Sequence, residues 1–600
     1  MLNQRVQGLC QSQQNRVCKL RWLVLALGSL FLLTGCFQKE QVIKAPKTMD
    51  LVVAEEVAPV VEAKKEPVVS LEAGDMYQIL VAEMMALKGF EAQAFNIMFK
   101  LAYKLRTPDL AERAFQFSMK TYDARKIESA ASLWRKISPN ASTPWRASFL
   151  IALRQNNVEK ALEDWAHYRT LSKSPIERDL LVTAQKVGAS ISSESGLAFM
   201  QALVKKYPET WASYFALGLV ADTLNRFDIA LDALEKAKAY QTDTSEAKIH
   251  QFLAKLYLQT PPAERGIAAL EGYLEKYPTD WLVQERMARL EVQASRYNDA
   301  MERYNTILSA EPNAYTSRLS LALIQIEQED FKSAEENLLK VKDQKGYSGV
   351  VNYYLGLINQ EVKETDTALA YFEKVKLGPY YVDAQLHQAE IYFSRGEYER
   401  AFEILDAIEG KHARDVLKVH RAKAIFYSSL NQREQAVKAY NDVLVLDPNH
   451  IGALMNQAML FYDLKQMDNY IANLKRVIEI DPNEADALNA LGYYYADLNE
   501  NLSEAEALLQ RAYQLDPESY YILDSVGWLY FQQGKYRLAE TYLQKALAIQ
   551  MDDEVLMHLI RTLWQLDKRE QARTLWQENH KSFLQNEVLQ GLIKTLEKTN

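Results

Sequence analysis

Six hundred residues exceed what one hydrophobic core needs, so the chain is either several domains or one long repeat array. Hydrophobic residues at 48% and charged residues at 25% are those of a folded soluble protein, and only 21 Gly and 16 Pro favour helices with short connections over turn-rich β-structure. The formal charge of -9 becomes -13 once the four basic side chains before Cys36 are set aside, leaving 66 basic against 79 acidic residues, a poor footprint for binding nucleic acid.

Residues 1–35 open the chain with Arg5, Arg16, Lys19 and Arg21 and no acid, followed by an uncharged run from Trp22 to Leu33. Twelve apolar or small residues are too few for a bilayer-spanning helix, which needs about 20, and suit the apolar region of a signal peptide. Leu33-Thr34-Gly35-Cys36 resembles the lipobox of bacterial lipoproteins. That resemblance implies cleavage before Cys36 and acylation of its thiol. Burying acyl chains contributes about 0.8 kcal/mol per CH₂, enough with two or more chains to hold a protein on a membrane. Phe37, rather than Asp, follows the cysteine, which in that class implies the outer membrane, facing the periplasm. Cys10 and Cys18 fall in the removed segment, so the mature chain keeps no free thiol for a disulfide, a zinc site or nucleophilic catalysis.

Residues 36–73 are rich in Val, Ala, Pro, Glu and Lys without a sustained helical period. They read as a flexible tether reaching roughly 30–35 Å from the anchor.

Beyond the tether the chain repeats. Pro448, Pro482 and Pro517 stand 34 and 35 residues apart in "LDPN", "IDPN" and "LDPE", and Pro278 and Pro312 are 34 apart. Within this period Val526-Gly527, Tyr530, Ala539, Leu543 and Ala546 form one unit, and Leu491-Gly492, Tyr495, Ala505, Leu509 and Ala512 another, with one residue inserted near Asn499. Apolar residues three and four apart put a stripe on each helix, small residues let paired helices close up, and proline ends the second helix. The pattern resembles the tetratricopeptide repeat, which implies an all-α superhelical solenoid.

The register gives about fifteen helix pairs, starting near Asp75, Asp109, Ser142, Glu177, Trp211, Ala247, Trp281, Tyr315, Gly349, Val382, Leu417, Ile451, Ala485, Tyr520 and Asp553. Residues 74–210 hold degenerate repeats, 211–586 the clearer ones, and 587–600 a C-terminal capping helix.

Catalytic signatures are missing from this array. Eight histidines are scattered without an H-E-x-x-H pair, "GYSG" at 346–349 is not G-x-S-x-G, and Gly534-Lys535 lacks the upstream glycine of a phosphate-binding loop. No catalytic residue, metal ligand, cofactor or small-molecule substrate is expected. Lys418 and Arg421 share one repeat, but Met455 and Met459 follow where a carboxylate clamp would continue.

Binding remains. Stacked pairs line a concave face with the second, fifth, ninth and twelfth residues of each first helix, and the last two full repeats put Asn489, Tyr493, Tyr521, Asp524, Trp528 and Phe531 there. Mixed aromatic and polar side chains on such a wall suit an extended peptide or a partner helix.

The block from Tyr77 to Phe115, through Leu80, Ala82, Glu83, Gly89, Ala94, Pro108, Ala111, Glu112, Arg113 and Ala114, is similar to the opening of a family of large proteobacterial outer-membrane lipoproteins built of tetratricopeptide repeats. The resemblance implies a scaffold whose partners are a periplasmic carboxyl-terminal processing protease and its cell-wall hydrolase substrates. The alternatives are an assembly factor for a pilus, secretion channel or other envelope complex, and a glycosyltransferase fused to such repeats. The last would need a further α/β domain that the chain has no room for.

Overall fold

The structure, a computed structural model, describes residues 71–190, 194–408, 412–579 and Gly591. The expected signal peptide, Cys36, almost all of the tether and, Gly591 apart, the 587–600 cap lie outside the described residues. Thirty helices and no strand occur among those described, and no helix among them is long and apolar enough to cross a membrane.

They fall into two compact units divided between Asn337 and Leu338. The first unit begins with α1 (Ala73–Leu87), α2 (Glu91–Leu105), α3 (Pro108–Lys120), α4 (Ala124–Ile137), α5 (Ser142–Arg154), α6 (Val158–Leu171), α7 (Ile176–Ser190) and α8 (Glu194–Lys206). It continues with α9 (Trp211–Thr223), α10 (Phe227–Lys238), α11 (Asp243–Tyr257), α12 (Ala263–Lys276), α13 (Trp281–Gln293), α14 (Tyr297–Ala310) and α15 (Tyr315–Glu327), and α16 (Phe331–Leu339) straddles the division.

The second unit holds α17 (Ser348–Glu361), α18 (Thr365–Phe372), α19 (Tyr381–Ser394), α20 (Tyr398–Ala407), α21 (Ala413–Ser429), α22 (Arg433–Leu446) and α23 (Ile451–Asp463). After these come α24 (Met467–Ile480), α25 (Ala485–Asp497), α26 (Leu502–Leu515), α27 (Tyr520–Gln532), α28 (Tyr536–Ile549), α29 (Asp553–Gln565) and α30 (Arg569–Asn579). The fifteen starts read from the sequence lie within four residues of the starts of the odd-numbered helices, so the solenoid of helix pairs is confirmed.

Packing follows the small residues. A Cβ on Gly527 of α27 would sit 2.6 Å from Leu543 Cγ of α28, and one on Gly492 of α25 would sit 2.7 Å from Leu509 Cγ of α26. Ala539 and Leu543, and Ala505 and Leu509, are fully buried opposite these glycines. The degenerate repeats keep the rule with larger fillers: Ala161 and Trp165 of α6 are fully buried, as are, nearly so, Ala130 and Trp134 of α4.

The turns are equally regular. Counting from the repeat starts, the fifteenth residue has positive φ at Asn225, Ser295, Glu329, Lys363, Gly396, Asn431, Lys465, Asn499, Gly534 and Asp567. Between repeats, "DPN" closes the second helix, and Asp447 and Asp481 each accept a hydrogen bond from the backbone N–H two residues on, at Asn449 (3.2 Å) and Asn483 (2.9 Å).

Candidate peptide-binding face

Three first helices of the second unit, α25, α27 and α29, carry the side chains singled out from the sequence and the partners that fix them. Asn489 and Tyr493 are on α25; Tyr521, Asp524, Trp528 and Phe531 are on α27. Asn489, Tyr493, Tyr521 and Phe531 are half-buried, whereas Asp524 and Trp528 are buried between the helices.

The aromatic rings are locked at their polar ends by carboxylates. Tyr493 donates its hydroxyl to Glu554 Oε1 (2.6 Å), Tyr521 to Asp486 Oδ1 (2.9 Å), and Trp528 its indole N–H to Asp497 Oδ1 (3.2 Å). His558 of α29 meets Asp524 through Nδ1 and Oδ1 at 2.9 Å, with both side chains almost wholly removed from solvent. Phe531, Trp528 and His558 form a continuous stack, with centroids 4.8 and 4.1 Å apart and planes within 15°. Arg561 brings its guanidinium carbon to 5.8 Å from the Trp528 centroid, in cation–π range.

Burial raises the Tyr493 phenol well above its ordinary pKa, and the nearby carboxylates of Glu554, Asp524 and Asp497 push it further the same way. Burial, helped by Asp486, does the same to Tyr521. Both phenols therefore remain neutral hydrogen-bond donors. The stack is buried at Trp528 and His558 and reaches the surface only at the half-buried Phe531; Asp486 and Asp497 lie at the more open edge, the buried Glu554 beneath Tyr493, and Arg561 against the Trp528 ring. A half-exposed aromatic ring beside carboxylates is chemically complementary to apolar and cationic side chains, and no activated nucleophile occurs in the face among the described residues. No group of three or more His, Cys, Asp or Glu able to hold a metal ion occurs among the described residues.

Sequence reasoning missed α29. Applying the same second and ninth positions to the repeat that starts at Asp553 gives Glu554 and Arg561, and to the repeat at Ala485 gives Asp486. His558 is at the sixth position, outside the rule, and only the stack reveals it. Elsewhere, Lys418 of the weak carboxylate clamp is bonded through Nζ to Asp383 Oδ1.

Comparison with known proteins agrees with the helix pairs. Tetratricopeptide repeat profiles match residues 195–244, 285–348, 383–413, 422–450, 451–484, 468–520 and 521–552. The chain is similar to the TPR repeat-containing protein PA4667 of Pseudomonas aeruginosa, with 28% identity over 568 residues covering 92% of each chain. Among solved structures it is similar to the Cut9 and Hcn1 hetero-tetramer of the APC/C, with 15% identity, a TM-score of 0.31, and coverage of 82% of this chain and 97% of that one. It is likewise similar to MamA protein, with 20% identity, a TM-score of 0.26, and coverage of 29% and 96%.

Proposed function

We propose that this tetratricopeptide-repeat protein is a scaffold held by lipid on Cys36 at the outer membrane, facing the periplasm, where it binds a carboxyl-terminal processing protease and that protease's cell-wall hydrolase substrates. The coarse part of this reading, a protein-binding repeat array, follows from the repeats themselves. The finer part is supported by the lipobox at 33–36 and the Tyr77–Phe115 block. The observation that carries a binding role over a catalytic one is the face of α25, α27 and α29, whose aromatic groups are fixed in place by carboxylates without a reactive centre among them.

Such a scaffold acts by holding two partners at once. It converts their second encounter into an intramolecular one, which raises effective concentration and can increase avidity by about 10²–10⁴-fold. Capture with the lipid-free chain from a periplasmic extract tests the proposal. The expected result is recovery of a processing protease together with a cell-wall hydrolase, reduced about tenfold by Phe531→Ala, which trims the half-buried end of the stack. Recovery of neither enzyme overturns the protease reading, and loss of an assembled envelope complex in a deletion strain with unchanged proteolysis replaces it with the assembly-factor role.

A further inference from the structure

The first described helix, α1, turns an apolar side outward, where the end helix of a solenoid would turn a polar one. One side of α1 packs on α2 in the ordinary way: Ala82 is fully buried, and Ile79, Met85 and Ala86 lie against the core that contains Ala94, Phe95 and Met98. The other side carries Tyr77, Leu80, Met84 and Leu87, which are 69%, 62%, 57% and 87% exposed. Their spacing of three, four and three residues is the a/d seam of a coiled coil, two heptads long. Met76 and Phe90 flank it, also more than half exposed.

The charges of α1 are drawn away from this seam. Asp75 is held by Lys104 of α2 (2.8 Å), and Glu83 by Arg113 of α3 through two bonds of 2.5 and 2.6 Å. What stays exposed at the rim is Glu72 just before the helix and Lys88 just after it, an acid at one end and a base at the other.

We propose that the occupant of this seam is α1 of a second copy of the chain, paired antiparallel about a two-fold axis. In the register centred on Ala82, Tyr77 of one copy meets Leu87 of the second copy and Leu80 meets Met84, and the symmetry repeats both contacts. All four seam residues then have an apolar neighbour, and the interface closes on itself. The same register brings Lys88 of one copy about one helical turn from the acidic rim at Glu72 of the second copy. It also sets the two helix dipoles side by side and antiparallel, so that the positive end of each lies beside the negative end of the other, which is favourable. Six large side chains per copy bring the area available to the pair to the order of 1,000 Å², the size at which a stable interface becomes possible. This inference is independent of the adaptor reading: a monomeric chain could still capture a protease.

Sedimentation equilibrium of residues 37–600, which contain none of the three cysteines, tests it over roughly 1–100 µM, where an interface of this size should associate. The expected result is a reversible dimer that Leu80→Glu weakens by about 100-fold, because two carboxylates would be buried in the seam. At concentrations where both chains are monomeric, the circular dichroism melt of that variant should match the parent's, since Leu80 is exposed in the single chain. In a second variant, Leu80→Cys with Met84→Cys, oxidation should give a covalent dimer. A chain monomeric at the top of the range, a dimer indifferent to Leu80→Glu, or a cysteine pair that never links two chains would each overturn the proposal.

Discussion

At the scale of single residues, the fifteenth position of most repeats carries the most regular demand, a left-handed backbone that Gly89, Gly396 and Gly534 supply without a side chain. Glu329, Lys363 and Lys465 adopt φ of 59°, 65° and 59° there, a conformation costing an L-residue roughly 1–2 kcal/mol. Lys465→Gly should therefore raise stability by about 0.5–1 kcal/mol, read as a higher urea midpoint at constant slope, despite glycine's larger unfolded-state entropy. The opposite change, Gly527→Leu, forces a side chain into Leu543 and should cost about 1–3 kcal/mol or more in the same assay. Gly534 is legible as a turn residue from sequence, but Lys363 and Lys465 are not, since the helices on either side impose the conformation against local preference. The phenols give a pH signature. Tyr493 and Tyr521 have folded pKa values above the ordinary phenol value, so their contribution is complete below about pH 10 and is lost as pH rises toward the folded values. Absorbance titration should show a group of phenols that ionise only together with alkaline unfolding, and a normal titration of all tyrosines in the folded chain would refute this.

At the scale of helices, the pairs are joined by polar clamps as well as by apolar stripes. In α13 and α14, Arg303 reaches Gln284 (2.5 Å) and the buried Glu291 (2.6 Å); in α15 and α16, Asn337 takes the equivalent place, accepting from Arg318 (3.2 Å) and donating to Gln325 (2.9 Å). The positions are the same in both pairs, the fourth and eleventh of the first helix and the twenty-third of the repeat; the twenty-third donates to the eleventh in both, but donor and acceptor are exchanged between the fourth and the twenty-third. Arg303→Leu leaves Glu291 without its guanidinium and should cost about 3–5 kcal/mol, while adding Glu291→Leu should restore most of it; urea unfolding of the two variants separates lost pairing from lost packing. The apolar period that locates these helices is visible in one repeat of sequence. The clamps are not, because they use different residue types at matching positions, so no single motif repeats. The candidate face shares this limit: its sequence-derived members lie on α25 and α27, but Glu554 reaches Tyr493 across 61 residues, and local periodicity does not encode a pairing between alternate repeats.

At the scale of the whole molecule, every extensive helix contact within a unit runs between helices no more than three places apart in the chain. Stability is then close to a sum of pair energies and neighbour interfaces instead of one cooperative quantity. Calorimetry should give an unfolding enthalpy larger than the van't Hoff value from the melting curve, and removal of α29 and α30 should lower the stability of α27 and α28 without unfolding the first unit. A single sharp transition with equal enthalpies would contradict this. Predominantly local contact also has a mechanical side. Drawn out by its ends, such a chain parts one interface at a time, each held by a handful of leucines and alanines, and refolds in the reverse order. Each unit should therefore yield stepwise under load, which force-extension measurements would read as a series of small rips in place of one large one.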